Sequence, residues 1–223
     1  MITNDILYIL DISPLKDEAL FTKWYARMDE DRKKKIDSMK PMSGKLLSLG
    51  AGVLLYTAME DAGITDYVIL TGEKGKPYIK DREDVFFNLS HSGEMVALAL
   101  SGKEVGVDIE RNKHFKDNLI RYVFTESDIS LAKELEAEMT MDQAYTRLWT
   151  AKESIMKHSG QGISLDPKKI ELFRDDNHPG RLSAIAEKYD CTGLTLFFLS
   201  EGDYQISLCS KNPEMAKVIR VEI

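Results

Sequence analysis

Val105-Gly106-Val107-Asp108-Ile109-Glu110 alternates branched apolar residues with a glycine and two acids. The side-chain period of a strand is two, so Val105, Val107 and Ile109 take one face and Gly106, Asp108 and Glu110 the other. Two carboxylates then project side by side, about 7 Å apart at their Cα atoms. Like charges at that range repel, and a hard divalent cation between them relieves the repulsion through oxygen ligands. The hexapeptide by itself also reads as a solvent-facing edge strand carrying ordinary surface acids.

Working outward, the next informative stretch is Tyr145-Thr146-Arg147-Leu148-Trp149-Thr150-Ala151-Lys152-Glu153-Ser154-Ile155-Met156-Lys157. At about 100° per residue, Ala144, Leu148, Ala151 and Ile155 form a core stripe, widened by Tyr145, Trp149 and Met156. Glu153 and Lys157 fall one turn apart at the rim of that apolar face. Such a pair is ordinarily a surface ion pair worth a few tenths of a kcal/mol, but a rim is also where a cleft begins.

The remaining pattern is mixed α/β. Strands are expected near 6–10, 66–70, 85–89, 95–100, 169–173, 192–199 and 204–209, with an edge strand near 218–222. Helices are expected from Ser13-Pro14 to about Met28, and over 43–62, 126–138 and 142–158. Gly44, Gly50 and Gly52 inside the second of these suggest close packing against a neighbour. Asn88-Leu89-Ser90-His91-Ser92-Gly93 reads as a polar loop before the run at Met95, and Thr125 with Asp128 as a capping box. The first half ends near residue 103, giving halves of 1–103 and 104–223 packed face to face.

Composition narrows the function classes. The 223 residues are 43% apolar and 30% charged, which suits an ordinary globular protein able to bury a core unaided. A net charge of −7 argues against nonspecific nucleic-acid binding, leaving Arg32-Lys33-Lys34-Lys35 as a local basic exception. No apolar run reaches about 18 residues and no basic region precedes the first apolar segment, so a cytoplasmic protein without membrane attachment is expected. Cys191 and Cys209 lack metal-ligand spacing and read as reduced core thiols.

Taken together, the VGVDIE strand followed by the helix LWTAKESIMK resembles the surfactin-synthetase-activating type of 4′-phosphopantetheinyl transferase. That family carries a (V/I)G(V/I)D strand and a (F/W)(S/C/T)xKE(S/A)xxK helix, and Trp149, Thr150, Lys152, Glu153, Ser154 and Lys157 satisfy the second motif. Gly75-Lys76-Pro77-Tyr78 and Asn88 to Ser92 look like its GKP and FN(I/L)SHS elements. The resemblance implies two similar α/β halves about a pseudo-twofold axis, with coenzyme A in the cleft between them.

It further implies magnesium held by Asp108, Glu110 and Glu153, and Lys152 and Lys157 as lysines that hold phosphates or pair with the catalytic acid. Ser90, His91, Lys76 and Pro77 match the surroundings of the pyrophosphate and 3′-phosphate, and Arg32, Lys35 and Lys45 match the 3′-phosphoadenosine end more loosely. On the residues alone, His91 reads as a loop histidine bonded to a backbone carbonyl. Glu153 is the implied acceptor of the serine proton, with Lys157 beside it, and Glu126 is the alternative. A carboxylate beside magnesium and one turn from Lys157 is expected below the usual pKa range. The implied partner is an apo acyl- or peptidyl-carrier protein, the implied state a monomer. Segment 115–124, with Leu119, Ile120, Arg121 and Tyr122, is the expected docking surface or else core packing. A metal-dependent phosphoesterase and a non-catalytic coenzyme A-binding module remain the alternatives.

Overall fold

The computed structural model describes residues 2–175, 181–212 and 214–223. Four strands form the first sheet: β1 (Ile6–Asp11), β4 (Phe86–Ser92), β5 (Met95–Ser101) and β11 (Lys217–Arg220), in the order β11-β1-β5-β4. The second sheet has the order β6-β10-β9, from β6 (Val105–Arg111), β9 (Thr195–Glu201) and β10 (Tyr204–Ser210). Two small hairpins stand apart, β2 (Ile69–Thr71) with β3 (Pro77–Ile79) and β7 (Ile170–Arg174) with β8 (Leu182–Ala186). The last strand, expected among the elements of the second half, pairs in parallel with β1 and so closes the first sheet.

Each large sheet carries one long helix. α3 (Met42–Asp61) covers the first, accompanied by α1 (Glu18–Ala26) and α2 (Glu30–Ser38). α6 (Met141–Ser159) covers the second, accompanied by α4 (Asp117–Val123) and α5 (Glu126–Leu135). Alternation along the strands gives the first sheet two apolar faces and the second sheet one, its α6 side carrying Gly106, Asp108, Glu110, Gln205 and Ser207. Tyr8, Leu10, Val96 and Leu98 turn to α3, while Leu7, Ile9, Ala97 and Ala99 meet Val105, Val107, Ile109 and Leu208 of the second sheet. The result is a four-layer stack of two α/β halves, helix on sheet on sheet on helix.

Local chemistry explains where the elements differ from expectation. The first helix is broken in two: Ser13–Lys16 forms a 3₁₀ turn, then Asp17 accepts a bond from the Leu20 amide and starts α1 afresh. Trp24 is buried, as a core anchor should be. The segment 88–92 is strand throughout, not loop. Gly50 and Gly52 do lie under neighbours, Ile12 and Met28, whereas Gly44 has only ordinary contacts. Thr125 and Asp128 form the capping box of α5. Cys209 is buried and Cys191 half-buried, both free thiols.

The core stripe Ala144, Leu148, Ala151 and Ile155 of α6 is fully buried. A second capping box, Thr140 with Gln143, starts this helix, and Gly160 ends it at a φ of 64° that disfavours other residues. Where α6 crosses β6 the two backbones nearly touch. A Cβ at Gly106 would stand 2.1 Å from the Ser154 carbonyl oxygen and 2.4 Å from the His158 nitrogen. Gly106→Ala should therefore force α6 off β6. Overpacking of this kind costs about 1–3 kcal/mol or more, and each kcal/mol lowers Tm by roughly 2–4 °C at this chain length. Calorimetry of the variant should show that fall; an unchanged Tm would contradict the close approach.

Candidate functional site at the seam between the sheets

β4 and β6 belong to different sheets, yet three alternate side chains join them. Asn88 Oδ1 accepts from the Val107 amide at 2.9 Å, Ser90 Oγ donates to Asp108 Oδ1 at 2.7 Å, and Ser92 Oγ donates to Glu110 Oε2 at 2.9 Å. These bonds satisfy what a polar loop would have offered to water, which is why the segment is extended. From the other side, Gly106 lets α6 deliver Lys157, whose Nζ donates to Asp108 Oδ1 at 2.7 Å and to Ser90 Oγ at 2.8 Å.

Asp108 is 5% exposed, and both donors converge on Oδ1. Its Oδ2 is buried with no hydrogen-bond partner among the described residues. Burial raises the Asp108 pKa, opposed by Lys157 and Ser90. Glu153 is half-buried beside it and also stands above the usual carboxylate range, through burial first and Asp108 second, with Lys157 opposing. Without a cation, desolvation and a like charge outweigh the lysine; the lowered value expected of Glu153 is that of the magnesium-bound carboxylate. An orphaned carboxylate oxygen with two further acids nearby, and no sulfur or imidazole, fits a hard cation such as magnesium. Among the described residues no three such groups already converge at liganding distance. Glu110, drawn to Ser92 and to Lys113 at 3.3 Å, and Glu153 must rotate to share an ion with Asp108.

The alternation of β4 separates residues that are consecutive in sequence. Ser90 and Ser92 face β6, while His91 emerges on the opposite face and lines a cavity of about 190 Å³ with Arg32, Lys35, Ser48 and Leu47. Arg32 and Lys35 come from α2, a helix the sequence did not announce because Ile36 is its only fully buried residue. Its N-cap Asp29 accepts from the Arg32 amide, and i, i+3 spacing puts both basic groups over α3. Burial lowers the pKa of Arg32, of Lys35 and of His91, with Lys157 as the second cause for His91. The Ser48 hydroxyl is buried without a partner among the described residues. Arg32 and Lys35, neither in a salt bridge among the described residues, stand with an imidazole and a spare hydroxyl around one cavity, a lining whose chemistry suits an anion, and Ser48 was missed by sequence reasoning.

Other expected site residues lie elsewhere. Lys45, on the first turn of α3, is not part of that lining. Lys76 donates to Glu104 at 2.5 Å and to the His158 carbonyl at 3.0 Å, and lines with Pro77 a separate cavity of about 350 Å³. Lys152 does not reach the seam, and so stands away from both roles the resemblance implied, holding phosphates or pairing with the catalytic acid. It is fully buried on another face of α6, bonded to Asp128 Oδ2 at 2.5 Å, the Pro167 carbonyl at 2.9 Å and the Val123 carbonyl at 3.2 Å. Those acceptors use all three ammonium protons. Asp128 also accepts the Leu172 amide, so the pair ties α5, α6 and β7 together. Glu126 is exposed on the first turn of α5. Of segment 115–124, Phe115, Val123 and Phe124 are core, while Leu119, Arg121 and Tyr122 are exposed on α4.

Comparison with known proteins identifies the family. Residues 104–209 match the model of the 4′-phosphopantetheinyl transferase superfamily. A 4′-phosphopantetheinyl transferase of Bacillus subtilis is 29% identical over 195 residues, covering 84% of this chain and 81% of its own. The 4′-phosphopantetheinyl transferase Sfp of B. subtilis strain 168 is 31% identical over 160 residues, covering 70% and 68%. The transferase AcpT of Salmonella typhimurium is 43% identical over 104 residues, covering 43% and 53%. The seam motifs and these relatives place the chain in the 4′-phosphopantetheinyl transferase superfamily.

Proposed function

We propose that this enzyme transfers the 4′-phosphopantetheine group of coenzyme A to a serine of an apo acyl- or peptidyl-carrier protein, magnesium-dependently, acting as a cytoplasmic monomer. The observation that carries the proposal is the placement of Asp108, Glu110, Glu153 and Lys157 at one seam, beside a basic pocket. Asp108, Glu110 and Glu153 would hold the cation. When bound, it neutralises charge on the pyrophosphate and on the leaving adenosine 3′,5′-bisphosphate.

The chain's own residues supply the rest. Arg32, Lys35, His91 and Ser48 are suited to the 3′-phosphate, since all four line one cavity. Lys157, whose Nζ donates to Asp108 and Ser90, is suited to contact the phosphates. The carrier's serine oxygen attacks the β-phosphorus, the bond to the leaving bisphosphate breaks, and Glu153 accepts the serine proton. Its position beside Asp108 and one turn from Lys157 is what suits Glu153 to that step, since a general base must first lie within reach of the proton it takes. The exposed Leu119 and Tyr122 of α4, edged by Lys116 and Arg121, suit the apolar-and-acidic surface of a carrier's helices.

Mass spectrometry tests the reaction. An apo carrier incubated with the enzyme, coenzyme A and magnesium should gain the phosphopantetheine mass, and Asp108→Asn should slow this by about 10²-fold or more, the scale of losing a group aimed at reacting charge. An unmodified carrier, or full activity in the variant, would contradict the proposal. The basic pocket is tested separately by Arg32→Ala with Lys35→Ala. Its KM for coenzyme A should rise roughly tenfold or more, as expected for lost charged hydrogen bonds, and its KM for dephospho-coenzyme A far less. Equal rises for both would remove the pocket from 3′-phosphate binding.

A further inference from the structure

Ser92 has no part in the function described so far, yet it sits where the metal strand meets β4. Its Oγ accepts the Arg111 amide proton at 3.1 Å, so its own hydroxyl proton is free for Glu110 Oε2 at 2.9 Å. The same logic operates two residues earlier. Ser90 Oγ accepts from Lys157 and donates to Asp108 Oδ1. Two serines spaced by two on β4 thus address two carboxylates spaced by two on β6, in matched register.

The two carboxylates differ in what else holds them. Asp108 is enclosed and also gripped by Lys157, so losing Ser90 would leave it a strong donor. Glu110 keeps 27% of its side-chain surface exposed, and its other charged contact is Lys113, itself 43% exposed, at 3.3 Å. A flexible surface lysine fixes a carboxylate poorly and competes with a cation for its charge. A neutral hydroxyl donor orients one oxygen without that competition and leaves the remaining lone pairs for a metal.

We propose that Ser92 is a positioning residue for the metal site, holding Glu110 against β4 in opposition to Lys113. This rests on the reading of Asp108, Glu110 and Glu153 as the metal ligands. Partners of this kind behind a metal ligand change metal affinity by about 10- to 100-fold when removed.

The test compares Ser92→Thr with Ser92→Val, which match in shape and differ in the hydroxyl. Manganese binding to the full-length enzyme with coenzyme A bound, followed by electron paramagnetic resonance, is the direct readout. Ser92→Val should bind manganese about tenfold more weakly, Ser92→Thr close to the unmodified enzyme. The magnesium activation constant should rise by a similar factor in Ser92→Val while kcat at saturating magnesium falls far less. Equal manganese affinity in the Thr and Val variants would overturn the proposal, including the case where both melt at a lower temperature, since a purely structural serine would move Tm alone. Asp108→Asn separates the two levels of the argument. If it loses manganese while Ser92→Val does not, only the Ser92 assignment fails; if it too binds normally, the metal-site reading fails and the Ser92 assignment with it.

Discussion

At Gly106 the backbone of α6 lies against β6 with no room for a side chain between them, and the active geometry follows from that contact. A helix ordinarily stands off a strand by the thickness of the close-packed side chains between them. Removing the side chain lets Ser154 and His158 come down onto the strand, and their neighbours Glu153 and Lys157 arrive beside Asp108. The glycine of the VGVD pattern is thus a spacer of zero thickness. Its position two residues before Asp108 keeps it on the same face as the carboxylate it serves.

The second constraint is the seam between β4 and β6. Side-chain bonds from Asn88, Ser90 and Ser92 replace the ladder bonds that two strands of one sheet would share. Because β4 is a true strand there, its intervening residue His91 faces the other way, into the pocket of α2 and α3. One pentapeptide therefore meets the acidic strand β6 on one face and the basic cavity of α2 and α3 on the other. The buried pair Lys152 and Asp128 has a different task, fixing α6 to α5 and β7 so that the seam-facing side of α6 is held. Removing one partner of such a pair typically costs about 3–5 kcal/mol.

The parts of this arrangement that were legible in the sequence are those with strong local periodicity. Periodicity puts Asp108 and Glu110 on one face of β6 and Glu153 and Lys157 at the rim of the apolar face of α6, while their roles as site residues came from the family resemblance of the two motifs. What was not legible depends on partners distant in sequence. Segment 88–92 looks like a loop until β6 satisfies its polar groups, although its period-two spacing of Asn, Ser and Ser was a usable sign. Lys152 looks like a phosphate ligand until Asp128 claims it, and nothing local announces that pairing. α2 is nearly all charged, so no apolar stripe marks it. The strand near 218 gives no hint that it returns to β1.

The central claim is that the carboxylates of β6 and α6 are brought together to hold a divalent cation against coenzyme A. Anomalous diffraction from crystals grown with manganese and coenzyme A measures this directly. The account predicts an anomalous peak in contact with Asp108 Oδ2, the oxygen left without a partner, and shared with the Glu153 carboxylate and the pyrophosphate. A peak held by phosphate oxygens and water alone, or bound at acids away from the β4–β6 seam, would contradict it.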